Sequence, residues 1–131
     1  MPKIIHILSG DLWAGAEVMA INLLRALTAA GYDRLTAVLL NDGPVAEALR
    51  AGGLNVAVIP ESGRSLSGIV RDFRRIIRDI EADVIHSHGY KENLINYAAV
   101  KAPGGIRPGP GLVATQRSEE HTSELQSLLI I

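Results

Sequence analysis

Cysteine is absent from the 131 residues, and with it go disulfide bridges and thiolate zinc sites. Neither charge sign dominates: 13 basic residues face 14 acidic ones, a net charge of -1. Nucleic-acid binding therefore gains no support from charge. Apolar stretches are broken every few positions by charge or glycine, so no run approaches the roughly 20 residues of a membrane-spanning helix. Met1-Pro2-Lys3 leads straight into Ile4-Ile5-His6-Ile7-Leu8, too short for a signal-peptide core, and the expected compartment is the cytoplasm. Neither a repeat of solenoid length nor a G-x-G-x-x-G or G-x-x-x-x-G-K-[ST] fingerprint is present, which argues against Rossmann dehydrogenases and P-loop ATPases.

What the chain does have is apolar content, at 47%. A chain of this length buries roughly two thirds of its unfolded surface, enough for one core but not two. Lys3–Leu8, Leu35–Leu40, Leu54–Ile59, Asp83–His86 and Leu112–Thr115 read as strands, and their nearly continuous apolar character suits strands buried on both faces. Between them, Ala16–Ala30, Val45–Ala51, Leu66–Ile80 and Glu92–Lys101 read as helices, stopped near Gly31, Gly52-Gly53 and Pro103. The alternation predicts an α/β fold: a doubly wound, mainly parallel, Rossmann-like sheet of five strands in the order 3-2-1-4-5. Ligands then belong at the carboxyl ends of strands one and four, where the winding reverses.

In the third helix Leu66, Ile69, Val70, Phe73, Ile76, Ile77 and Ile80 form one stripe. Arg71, Arg74, Arg75 and Arg78 lie opposite it, a basic face suited to peripheral contact with an anionic membrane; a solvated outer face diluted by Asp72 and Asp79 is the plainer reading. Pro103 to Gly111 is too rich in proline and glycine to hold a regular element and reads as a loop.

The text of the chain changes after Gln116. Arg117 through Ser127 match, residue for residue, the translation of a common short-read sequencing adapter. Residues 1–116 are accordingly expected to be the domain, and 117–131 a non-native, ragged tail. Without that tail the net charge is +1.

Two segments meet at the expected crevice. Ser9-Gly10-Asp11-Leu12-Trp13-Ala14-Gly15-Ala16-Glu17 is a glycine-containing loop opening into a helix, an arrangement whose free N–H groups and dipole favour phosphate. Each glycine by itself is equally well explained by turn geometry and close packing. Asp83-Val84-Ile85-His86-Ser87-His88-Gly89-Tyr90-Lys91-Glu92-Asn93 brings two imidazoles, a phenol, an amine and an amide to the other side. His86 and His88 share a strand face, yet the sequence supplies no clear further ligand, so no metal is expected. A bland alternative buries His86 against backbone partners and leaves only His88 open to solvent.

Lys3 to Thr115 resembles the amino-terminal domain of family 4 glycosyltransferases of the GT-B fold. The resemblance rests on Trp13-Ala14-Gly15-Ala16-Glu17, like the family's Gly-Gly-x-Glu loop, and on Asp83-Val84-Ile85-His86-Ser87-His88, like its strand-four signature. It implies a loop at Gly15, Ala16 and Glu17 facing the donor diphosphate, and an acceptor side lined by Trp13, His88, Tyr90 and Asn93. It also implies transfer from a nucleotide-diphosphate sugar to a hydroxyl of an acceptor glycan or lipid, with no cofactor and usually no metal. Two departures stand out. Ala14 replaces the family's first loop glycine, and Thr115-Gln116-Arg117 stands where many members carry Thr-x-His. With the donor-binding domain absent as well, the chain is expected to be an inactive fragment; its catalytic residues are not readable. A receiver-like signalling module fails at two of its three required positions. A stand-alone, non-catalytic Rossmann-like ligand-binding module is the alternative.

Overall fold

The computed structural model describes residues 1–11, 16–117 and 125–127. Along the chain run β1 (Ile4–Leu8), α1 (Ala16–Ala29), β2 (Leu35–Leu39), α2 (Pro44–Ala51), β3 (Asn55–Val58), α3 (Leu66–Ile80), β4 (Val84–His88), α4 (Tyr90–Lys101), β5 (Gly111–Arg117) and β6 (Leu125–Ser127). The sheet order is β3-β2-β1-β4-β5-β6. β1 to β5 are parallel throughout, the expected 3-2-1-4-5 arrangement.

Burial on both faces explains the apolar strands. On one face Ile5, Ile7, Val38, Leu40, Ile85 and Leu112 pack with Ile69, Phe73 and Ile77 of α3 and Ile95, Ala99 and Val100 of α4. On the other, Leu8, Leu35, Ala37 and Leu39 pack with Ala20, Ile21 and Leu24 of α1 and Val45, Ala46 and Leu49 of α2. Phe73 is fully enclosed; truncating so large a core side chain costs about 3–5 kcal/mol.

Local signals set the ends of α3, whose limits coincide with those expected. The Ser65 hydroxyl accepts the Gly68 N–H at 3.2 Å at its start, and Glu81 ends it in the left-handed region at φ 60°. The basic face is only partly a free surface. Arg74 donates through Nε to the Ala99 carbonyl at 2.9 Å and through one terminal nitrogen to Ala98 and Pro103 at 2.9 and 3.1 Å. It closes the last carbonyls of α4, so Arg71, Arg75 and Arg78 are the exposed arginines of that face.

The boundaries that move by two residues lie at the β4–α4 junction and at the end of β5, which runs to Arg117 rather than Thr115. β4 continues to His88 and α4 begins at Tyr90, because Gly89, at φ +121°, turns the chain between them and serves as the helix N-cap. Beyond β5, Leu125–Ser127 pair antiparallel with Thr115–Arg117 as β6, although no element was expected within the segment set aside as a tail. The free edge of β5 offers unpaired backbone groups, and any short extended segment nearby can satisfy them.

Candidate functional site

β1 and β4 lie side by side at the centre of the sheet, with β2 and β5 on their outer sides. Their carboxyl ends are therefore the point where connections depart in opposite directions, the place where sheets of this kind bind ligands. Gly10, just beyond β1, adopts φ +80°, and a Cβ there would lie 3.0 Å from the Asn41 carbonyl oxygen. Turn geometry and close approach thus account for this glycine.

A polar network stitches the strand ends together. The Asn41 amide nitrogen, after β2, donates to the Ser9 carbonyl at 3.0 Å and to Glu61 Oε2 at 2.8 Å. Lys91, in the first turn of α4, donates to Glu61 Oε1 and Oε2 at 2.8 and 3.0 Å. Partial burial pushes the Glu61 carboxyl upward, but hydrogen bonds from Lys91 and Asn41 outweigh it and hold the group below its ordinary value. Burial likewise pulls on the Lys91 ammonium, and the Glu61 contact more than compensates, leaving it raised. Asn41 and Glu61 were not among the sequence-derived site residues; the available signal was that each is a polar side chain soon after an apolar strand.

Beside this network stand three histidines. His6 of β1 is in register with His86 of β4, and alternation along β4 puts His88 on the same face. His6 Nδ1 lies 3.0 Å from His88 Nε2, one donating to the other. The rings stack, His86 on His88 at 4.1 Å between centroids and His6 near both at 5.1 and 5.2 Å. Burial, then the neighbouring His86, lower the His6 pKa to about 3; burial, then His86 and His6, lower that of His88 to about 2. Burial also lowers His86. All three rings are therefore neutral at physiological pH. His86 and His88 are both half-buried, so the picture of a sealed His86 beside an open His88 does not hold. Nor does the premise behind expecting no metal: a third imidazole, His6, some 80 residues away in the sequence, comes from β1.

Of the acceptor-side candidates, His88 ends β4 within this cluster, and Tyr90 is 69% exposed at the start of α4. The Asn93 side-chain oxygen accepts the Ser87 hydroxyl at 2.5 Å, tying α4 to β4. Trp13 and Gly15 lie outside the described residues, and Ala16 and Glu17 open α1. Among the described residues no helix is long and apolar enough to cross a membrane.

Comparison with curated proteins finds no match. Among solved structures the chain is similar to the Anabaena protein Alr3699/HepE, crystallised in complex with UDP and glucose, at 20% identity and a TM-score of 0.66. The alignment covers 87% of this chain and 29% of that one, so the chain spans less than a third of the length of the protein it resembles. At this identity the likeness speaks for the fold, half of a GT-B architecture. The model of Glycosyltransferase Family 4 matches residues 13–128, a span that includes the loop before α1, the β4 signature and most of the segment set aside as a tail. With that match over most of its length, the chain belongs to glycosyltransferase family 4.

Proposed function

We propose that this chain is the acceptor-side domain of a glycosyltransferase that moves a sugar from a nucleotide-diphosphate donor to an acceptor hydroxyl, in polysaccharide or glycolipid synthesis. The family match over residues 13–128 carries the reading. It is supported by the polar side chains gathered at the ends of β1 and β4 and by the similar Anabaena protein, crystallised in complex with UDP and glucose. In this reading Gly15 and the first residues of α1, Ala16 and Glu17, offer backbone N–H groups and the amino end of the helix to the donor diphosphate, where negative charge grows as the glycosidic bond breaks. Trp13, His88, Tyr90 and Asn93 face the acceptor. The neutral His88 offers a sugar hydroxyl a hydrogen-bonding partner without charge. Most of the donor and the leaving-group charge fall to a second Rossmann-like domain, so residues 1–131 alone are inactive. Contact with an anionic membrane falls to Arg71, Arg75 and Arg78, at the cytoplasmic side where donors are made.

Residues 1–116 form the domain in this proposal, and Arg117–Ile131 are not native. The test is one long sequencing read across the codons for Leu112–Gln116 in source DNA. The expected frame continues into a Thr-x-His step and a second Rossmann-like domain, and the purified 131-residue chain turns over no nucleotide-sugar. An encoded Arg117–Ile131 followed by a stop would replace this reading with the stand-alone ligand-binding module. Turnover by the chain alone would overthrow the division of labour.

A further inference from the structure

The three histidines have a geometry that acceptor binding does not require. His6, His86 and His88 each present a ring nitrogen, and the three atoms lie within 4.8 Å of one another. Parallel pairing of β1 with β4 sets His6 opposite His86, and the two-residue period of β4 adds His88. We propose that His6, His86 and His88 form a binding site for a borderline divalent transition-metal ion of the Zn²⁺ class. This site shares His88 with the proposed acceptor side, but its ligand set does not rest on that reading, and it lies on the sheet face that α1 and α2 cover.

The donor set selects the ion. Among the described residues no carboxylate belongs to the cluster; hard cations such as Mg²⁺ and Ca²⁺ prefer oxygen ligands, whereas three imidazoles suit Zn²⁺, Co²⁺, Ni²⁺ and Cu²⁺. Nitrogens bound at about 2.0–2.1 Å in a tetrahedral site stand about 3.4 Å apart. The His6–His88 pair is already at 3.0 Å, and His86, half-buried, needs to swing its ring inward and out of its stack on His88. One of the two facing nitrogens carries the proton of the hydrogen bond. When both ligate, that ring shifts its proton to its other nitrogen, a tautomer change that releases no proton. The fourth position remains for water or an anion, the open arrangement typical of three-ligand zinc sites.

The probe is Co²⁺, followed by Zn²⁺ competition, titrated into the full 131-residue chain carrying His121→Ala so that the only other histidine cannot contribute. One equivalent is expected to bind with a Kd below about 10 µM, giving visible d–d absorption that one equivalent of Zn²⁺ abolishes. His86→Gln, at the most accessible edge of the cluster, is expected to weaken binding at least about tenfold while circular dichroism is unchanged. Should His86→Gln lose its structure, His88→Gln serves as the second variant, with the same expectation. No saturable uptake, uptake only at millimolar metal, or uptake indifferent to a folded His→Gln variant would overturn the proposal.

Discussion

Single side chains at the strand ends have measurable consequences. Glu61 joins Asn41 to Lys91, and its carboxyl is held below 4.5 by those partners. A folded pKa below the unfolded one means that the native state binds fewer protons in that window. Its stabilisation is complete above about pH 5 and is lost as pH falls through the lowered value. Glu61→Gln is expected to cost about 0.5–1 kcal/mol at pH 7, a difference that shrinks in urea titrations as pH falls below the ordinary carboxylate range. Gly89 makes a sterner demand. Its φ is +121°, and a Cβ there would run into the carboxylate of Glu92, itself 4% exposed in the first turn of α4. Gly89→Ala is expected to destabilise the chain by about 1–3 kcal/mol, read as a lower urea midpoint at unchanged m-value.

Among the elements, α3 and α4 are coupled through one side chain. Arg74 closes three carbonyls at the end of α4 and its following turn, and hydrogen bonds from a charged donor are worth about 1.5–3 kcal/mol each when removal leaves buried partners. Arg74→Ala is expected to lower stability by about 2 kcal/mol and to speed amide exchange in the last turn of α4. Arg75→Ala, one residue on and exposed, is expected to stay within about 0.5 kcal/mol of the parent. Periodicity could place both arginines on the polar side of α3. It could not show which of them reaches a neighbouring helix, because that depends on where α4 ends in space.

For the molecule as a whole, the buried apolar residues among those described run from Ile5 to Leu112 and fill both faces of the five parallel strands. A chain ending at Arg117 is therefore expected to unfold cooperatively, with an m-value within roughly 15% of the parent's. Loss of cooperativity would mean that β6 and its pairing with β5 are integral to the fold.

The strands, helices and sheet order were legible because each rests on local information. Continuous apolar runs mark strands buried on both faces, the stripe from Leu66 to Ile80 marks α3, and alternation of the two element types leaves few topologies. The switch point at the ends of β1 and β4 followed from topology as well, and the imidazoles of β4 and the phenol and amine after it were visible there. What tertiary structure alone decided is which residues distant in the chain become neighbours. His6 reads as an isolated histidine in an apolar strand until the β1–β4 register sets it opposite His86. Asn41 and Glu61 read as separate loop residues until the ends of β2 and β3 bring them within reach of Lys91. The sequence determines periodicity and chain reversal, both one-dimensional properties; register between strands some 80 residues apart is a property of packing, and the chemistry of this site depends on it.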